Sequence, residues 1–282
     1  MAATPTISFE YFPPRDIAAQ ERLVRSAKQL AALSPAWVSV TFGAGGSTRS
    51  GTVEAVKMLQ NLGGDVAPHL SCIGATRADL KALLDDYAAR GVRRLVALRG
   101  DLPSGMGGDT GELHYAVDLV RFIRAHSGDR FHIEVAAYPE MHPQADSAQQ
   151  DLRHFVDKVR AGADGAITQY FFNADAYFDF VDRVRAQGLD VPITPGIMPV
   201  TNYTQLARFS AMCGAEIPRW MRLRLQDFGD DKASIRAFGI DLVSGLVARL
   251  LEQGAPGVHF YTLNHAEAVT RICRNLGLGQ AA

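Results

Sequence analysis

The sequence predicts the α/β class and, within it, a single (β/α)8 TIM barrel with extra helices between strands 7 and 8. Short apolar runs alternate with longer amphipathic segments along the whole chain of 282 residues, and about eight such units can be recognised. No Ser/Gly-rich linker, low-complexity tract or shift in composition divides the chain. We therefore expect residues 1–282 to form one domain.

The predicted strands are short and rich in apolar and β-branched residues. Several are apolar throughout, as expected for parallel strands that are covered by helices. In chain order they span residues 6–10, 36–41, 66–70, 94–98, 132–137, 165–168, 192–196 and 258–261.

The predicted helices between the strands carry apolar residues at spacings of three and four. Gly91, Gly162 and Gly188 follow three of them, and Thr76 and Ser147 are suited to be N-caps. The long connection before the last strand predicts additional helices. The predicted helices include 18–33, 78–90, 148–161, 174–187 and 232–253.

The alternative fold is an open doubly wound sheet, for which a glycine-rich fingerprint should follow the first strand. Residues 10–15 read EYFPPR and contain no glycine. This favours the barrel.

Composition argues against several classes of function. Twenty-nine Lys and Arg balance thirty Asp and Glu, so we expect neither a nucleic-acid partner nor an anionic membrane surface. The three cysteines, Cys72, Cys213 and Cys273, are distant and odd in number, which is typical of a reduced protein. No signal peptide or membrane span is recognisable, so we expect the protein to be cytoplasmic.

Polar residues follow nearly every predicted strand, where barrel enzymes build their sites. Solvent contact is the alternative explanation for each residue alone. Together, carboxylates, amides and aromatics at the barrel mouth suit an aromatic cofactor and a planar substrate. The residues are Glu10, Thr41, His69, Arg99, Asp101, Tyr138, Glu140, His142, Gln169 and the run 261–264.

Glu10 is the strongest candidate among them. Its aromatic neighbours should desolvate the carboxyl and raise its pKa toward a value useful for a general acid, although a structural salt bridge is the alternative. Asp101 follows Gly100, which permits close backbone approach, and a turn cap is its alternative role. The loop 43–48 resembles a phosphate cradle but lacks the P-loop Lys and the full GxGxxG spacing, so a plain tight turn is favoured.

Two other chemistries find little support. Eight histidines are present, but neither an HExxH motif nor a paired His/Cys spacing occurs, so no metal site is expected. A serine nucleophile is also unsupported, because no GxSxG elbow is present.

Seven strings resemble, in order, the sequence blocks of the methylenetetrahydrofolate reductase family. The resemblance implies an FAD-dependent barrel that passes hydride equivalents from NADH or NADPH to 5,10-methylenetetrahydrofolate by a ping-pong mechanism, giving 5-methyltetrahydrofolate. Chain length implies the short bacterial form, and family membership implies a homo-oligomer, either a dimer or a tetramer. The strings are SFEYFPPR (8–15), SVTFGAGGST (39–48), APHLSC (67–72), ALRGDLP (97–103), AAYPE (136–140), ITQYFF (167–172) and HFYTLN (259–264).

The resemblance also implies residue roles. Glu10 matches the general acid that protonates folate as its imidazolidine ring opens, and Asp101 matches an aspartate that helps to hold the pterin. Gln169 matches a residue shared by nicotinamide and folate, and Gln205 and Phe209 match further contacts to these substrates. The positions that match FAD contacts are Thr41, His69, Arg99, Gly100, Asp101, Tyr115, Tyr138, His142, Ala145, Asp151 and Lys158, with Lys158 and His142 suited to the pyrophosphate.

Three positions depart from the family pattern. His265 stands where the family usually has an arginine that contacts folate, Asp157 replaces a basic residue of some relatives, and His154 replaces an amide. These departures affect folate affinity and the adenosine end of the flavin site rather than the chemistry.

Three alternative functions remain open at this point. One is the same chemistry run toward oxidation of 5-methyltetrahydrofolate. Another is a folate- or flavin-binding subunit of a methyl-transfer complex. The third is a flavin-free barrel methyltransferase that passes the methyl group to a corrinoid protein.

Overall fold

The computed structural model describes residues 5–42, 49–100 and 111–279. Within them, nine parallel strands form one sheet in the order β7-β6-β5-β4-β3-β2-β1-β9-β8. The strands are β1 (Thr6–Tyr11), β2 (Trp37–Val40), β3 (Val66–Ser71), β4 (Arg94–Leu98), β5 (His132–Ala137), β6 (Gly165–Thr168), β7 (Ile193–Thr194), β8 (Gly196–Ile197) and β9 (Gly257–Tyr261).

The two ends of the sheet, β7 and β8, are consecutive in the chain and are separated only by Pro195. The sheet therefore closes almost completely into a barrel, and the predicted fold is confirmed. The predicted seventh strand, 192–196, is divided at Pro195, which has no N–H to donate to a neighbouring strand. The Pro195 carbonyl still accepts the His259 N–H at 3.0 Å and ties the junction to β9.

Helices surround the barrel. The predicted N-caps are confirmed: the side chains of Thr76 and Ser147 accept hydrogen bonds from the first turns of α3 and α5. The predicted additional helices are also confirmed, as α7 to α9 lie between β8 and β9. The helices are α1 (Ile17–Ala31), α2 (Arg49–Asn61), α3 (Arg77–Ala89), α4 (Ala116–Ser127), α5 (Ala148–Arg160), α6 (Ala174–Arg185), α7 (Tyr203–Cys213), α8 (Arg219–Asp227), α9 (Lys232–Glu252) and α10 (Glu267–Asn275).

The barrel has a large outer core and a small inner one. Residues at alternate positions of a strand point to opposite faces, and Ile7, Phe9 and Tyr11 of β1 belong to the large core shared with the helices. A separate cluster of Trp37, Ala67, Val96 and Ile167, from four different strands, fills part of the interior. The other interior positions are available to polar side chains.

Among the described residues, no helix combines the length and the apolar character needed to cross a bilayer.

Candidate active site

Glu10 lies near the end of β1 and its side chain is only 11% exposed. Two imidazoles flank its carboxyl group: His69 Nε2 lies 3.4 Å and His259 Nε2 lies 4.0 Å from Glu10 Oε2. The strand register brings them together, because β1 pairs with β9 on one side and, through β2, neighbours β3 on the other. The structure thus places one carboxyl between two histidines inside the barrel.

His259 is held in a fixed orientation. Its Nδ1 lies 2.8 Å from Ser8 Oγ, and its ring stacks on Trp37 with centroids 5.0 Å apart. The Arg94 guanidinium lies 5.0 Å from the centroid of the Trp37 ring, and it also forms an ion pair with the buried Glu134 at 2.5 Å. A polar network therefore supports His259.

Burial determines the charge states around Glu10. Desolvation raises the pKa of Glu10, although His69 partly offsets this effect. Desolvation also lowers the pKa of His69 to about 4 and that of His259 to about 3. Both histidines are therefore neutral at neutral pH, and Glu10 retains its proton more readily than an exposed carboxyl.

Two buried polar atoms, one just after β2 and one in β3, have no hydrogen-bond partner among the described residues. These are Thr41 Oγ1, directly after β2, and His69 Nε2, whose contact with Glu10 does not have hydrogen-bond geometry. Buried polar atoms are rarely left unsatisfied in proteins. These two atoms are therefore available to a polar ligand.

A second cluster lies after β5. Lys158 donates from Nζ to the carbonyl of Ala136, at 2.6 Å, and the backbone N–H of His142 donates to Asp151 at 2.9 Å. Desolvation lowers the pKa of Lys158 to about 8, against the opposing influence of Asp151. A desolvated ammonium group of this kind suits a bound phosphate.

Other predicted residues surround this second cluster. The Tyr138 ring meets His142 edge-on at 4.5 Å, and the backbone N–H of Ala145 donates to the His142 carbonyl. Arg99 reaches the same loop by donating to Gln144 at 2.6 Å. The structure therefore brings Arg99, Tyr138, His142, Ala145, Asp151 and Lys158 to one side of the barrel mouth.

Gly100 and Tyr115, two further predicted positions, lie close to Arg99 or its neighbours mainly through backbone atoms. A Cβ on Gly100 would lie 2.0 Å from Ser71 Oγ, so only glycine fits there. Tyr115 is 59% exposed. Its backbone carbonyl lies 3.7 Å from the Cys72 sulfur, which also approaches the Arg99 carbonyl.

A third group forms a small pocket beside the mouth. Gln205 and Phe209 of α7 line it together with Leu263, which follows β9. The side chain of Gln169, another predicted site residue, accepts a hydrogen bond from the Tyr170 N–H at 3.0 Å. His265 is exposed, two residues after Leu263. Among the remaining predicted positions, His154 and Asp157 are exposed on α5, while Asp101 and the loop 43–48 lie outside the described residues.

The residues that pack beside Glu10 in the barrel interior were not predicted from the sequence. Ser8, Trp37 and His259 share the interior face of the barrel with Glu10 and His69. A signal was present, because Ser8 and Glu10 are polar residues at alternate positions of one strand, as are His259 and Tyr261 in another. Such a pattern inside otherwise apolar strands marks an interior polar face.

Comparison with known proteins identifies the family of this chain. The family model described as "Methylenetetrahydrofolate reductase" matches residues 1–277. The chain is 43% identical over 273 residues to the 5,10-methylenetetrahydrofolate reductase of Salmonella typhimurium and 42% identical to that of Escherichia coli K12. In both cases the match covers 96% of this chain and 90% of the relative.

A solved structure from Clostridium thermocellum, of a protein described as binding two copies of 5-methyl-5,6,7,8-tetrahydrofolic acid, superposes with a TM-score of 0.70. It covers 99% of this chain and 96% of its own, at 17% identity, and supports the fold alone. The family match along nearly the whole chain and the identity to the two bacterial reductases lead to one conclusion: the chain belongs to the methylenetetrahydrofolate reductase family.

Proposed function

We propose that this protein reduces 5,10-methylenetetrahydrofolate to 5-methyltetrahydrofolate with electrons from NADH or NADPH, through FAD and in two successive half-reactions. The observation that carries the proposal is the buried carboxyl of Glu10 between two neutral imidazoles at the barrel mouth. Relatives of this chain are named for the same reaction.

The residues of the site fit FAD at two places. Thr41 Oγ1 and His69 Nε2 are buried polar atoms without partners among the described residues, and both suit the polar edge of a flavin ring. The desolvated ammonium group of Lys158, with His142 nearby, suits the pyrophosphate. Bound FAD would supply the redox chemistry between the nicotinamide and the folate.

Glu10 supplies the proton in this scheme. Opening of the imidazolidine ring breaks a carbon–nitrogen bond whose electron pair stays on the nitrogen, so a proton must be delivered to that nitrogen. A carboxyl group whose pKa is raised by burial holds this proton more readily than an exposed carboxyl does. His69 and His259, both neutral, flank Glu10 without drawing its proton away.

The other residues position the substrates. Phe209 offers a ring for stacking and Gln205 offers an amide on the same pocket wall. Gln169 would serve nicotinamide and folate in turn, because the two substrates of a ping-pong reaction use the same site. Asp101 would hold the pterin, as the family resemblance implies.

We also propose that the protein acts in the cytoplasm as a single-domain subunit of a homo-oligomer. Membership of the family supports this, as does the absence of a candidate membrane-spanning helix from the described part of the chain.

An anaerobic absorbance experiment tests the proposal. The purified protein, supplied with FAD, is measured alone, after NADH, and after methylenetetrahydrofolate is added. Loss and then recovery of the flavin absorbance would support both half-reactions. Loss without recovery would indicate another electron acceptor, and failure to bind flavin would favour a flavin-free folate protein.

A further inference from the structure

The turn that follows β9 has an unusual backbone. Leu263 and Asn264 are adjacent residues in the left-handed region, with φ of 52° and 59°. Within the described residues, Ser34 is the other non-glycine residue with positive φ. Leucine rarely adopts this conformation, so the contacts around the turn must hold it in place.

The side chain of Asn264 provides the main contact. Its Oδ1 accepts a hydrogen bond from the Phe12 N–H and its Nδ2 donates to the Phe12 carbonyl, both at 2.9 Å. The Asn264 backbone N–H donates to Thr262 Oγ1, and its carbonyl accepts from Ser26 Oγ at 2.6 Å. Every polar atom of Asn264 is therefore engaged.

The same turn also holds the backbone of Glu10. The Glu10 carbonyl accepts from Thr262 Oγ1 at 2.6 Å and from the Thr262 N–H at 3.3 Å. The chain is thus fixed to the turn at Glu10 and again at Phe12, two residues later. Because the direction of a Cα–Cβ bond follows from the backbone, these bonds set the direction in which the Glu10 side chain leaves β1.

The turn also contributes to the small pocket beside the barrel mouth. Leu263 lines the small pocket with Gln205 and Phe209. One turn therefore carries a wall of this pocket and also holds the strand end that bears Glu10.

We propose that Asn264 is a positioning residue that sets the Glu10 carboxyl relative to the pocket wall at Leu263, where the folate would bind. The proposal rests on the proposed function. It adds that a residue without contact to the reacting atoms controls both the folate half-reaction and folate affinity.

Two variants separate the amide bonds from the backbone conformation. Asn264→Gly accepts the left-handed conformation without strain but removes both bonds to Phe12. Asn264→Asp also tolerates this conformation, but it places a carboxylate oxygen against the Phe12 carbonyl. Ser34→Gly is the matched control, because it changes a positive-φ residue in the α1–β2 connection, away from these contacts.

Both Asn264 variants should bind 5-methyltetrahydrofolate at least fivefold more weakly in calorimetry and slow flavin reoxidation by methylenetetrahydrofolate at least tenfold. Flavin reduction at saturating NADH should stay within twofold of wild type, because this half-reaction needs no proton from Glu10. The pH dependence of the folate half-reaction should shift. Ser34→Gly should change none of these quantities.

Equal losses in both half-reactions, in step with a lower melting temperature, would show a merely structural role and overturn the proposal. Unchanged folate affinity and reoxidation rate would also overturn it. Failure of the proposed function would look different, because the wild type itself would then show no folate half-reaction. In that case, the affinity comparison would still decide whether Asn264 shapes the pocket.

Discussion

The Nε2 atom of His69 lies 3.4 Å from Oε2 of Glu10, inside the barrel and shielded from solvent. An ion pair would be expected at this distance on a protein surface. Burial instead lowers the pKa of His69 to about 4 and raises the pKa of Glu10. The carboxyl therefore faces a neutral imidazole, an arrangement that favours a proton on Glu10.

The first prediction concerns His259, whose pKa in the folded protein is about 3. Unfolding restores an ordinary pKa of about 6.5, so the unfolded chain takes up a proton below that pH while the folded one does not. The resulting loss of unfolding free energy is negligible above pH 6.5 and grows as the pH falls toward 3. The destabilisation caused by His259→Gln at pH 7 should therefore shrink by roughly 2–3 kcal/mol at pH 4.5.

Urea unfolding of wild type and variant at both pH values measures this difference. His265→Gln is the control, because it replaces an exposed histidine outside the buried group around Glu10. A His259→Gln effect that is independent of pH would mean that His259 takes up its proton as readily in the folded protein as in the unfolded chain.

The second prediction concerns Lys158. Its ammonium group is desolvated, so Lys158→Met should leave the flavin-free protein at least as stable as wild type at pH 7. The same change should weaken FAD binding at least tenfold, because a phosphate contact is lost. Urea unfolding of the apoprotein and a flavin fluorescence titration measure the two effects.

Lys28→Met, on the exposed side of α1, provides the control and should alter neither quantity. Unchanged FAD affinity in Lys158→Met would exclude Lys158 from the flavin site.

Much of the fold could be predicted from the sequence because its signals are local. The predicted strand 66–70 matches β3 (Val66–Ser71), and the predicted helix 148–161 matches α5 (Ala148–Arg160), each within one residue at either end. Apolar runs, helical periodicity and capping residues depend only on neighbouring residues. The break of the seventh strand at Pro195 was missed, because it depends on how the barrel closes.

The site was only partly predictable. Position at a strand end was enough to identify Glu10 and His69, which the structure brings together. His259 is 249 residues from Glu10 in the chain, and its place beneath the carboxyl depends on the pairing of β1 with β9. Asn264 belongs to the polar run 261–264 that the sequence did identify, but its pairing with Phe12 was not predictable, because Phe12 lies on another strand end.

The third prediction compares two glycines of α9. A Cβ at Gly239 would lie 2.0 Å from the Val200 carbonyl oxygen, whereas a Cβ at Gly245 would meet nothing within 4 Å. Gly239→Ala should therefore cost about 2–4 kcal/mol of unfolding free energy. Gly245→Ala should gain up to about 1 kcal/mol, because alanine is the better helix former.

Chemical denaturation of the two variants tests this prediction. Equal effects would mean that the helix can shift away from Val200. Since Val200 lies between β8 and α7, beside the Gln205 pocket, Gly239→Ala should also weaken folate binding.

The fourth prediction concerns His265, which is exposed beside Leu263 at the mouth. His265→Arg should tighten folate binding several-fold, because arginine offers a permanent charge and a planar fork of donors to a carboxylate. Calorimetry with 5-methyltetrahydrofolate measures the effect at pH 7.5. An unchanged or larger dissociation constant would show that this position does not contact folate.

The most direct test of the account is to measure the two half-reactions separately in Glu10→Gln by anaerobic stopped-flow absorbance. Glutamine has nearly the same shape but carries no transferable proton. Flavin reduction by NADH should remain within about twofold of wild type, while reoxidation by methylenetetrahydrofolate should slow by about 100-fold or more. Equal losses in both half-reactions, or full reoxidation activity, would contradict the role of Glu10 as the proton donor to folate.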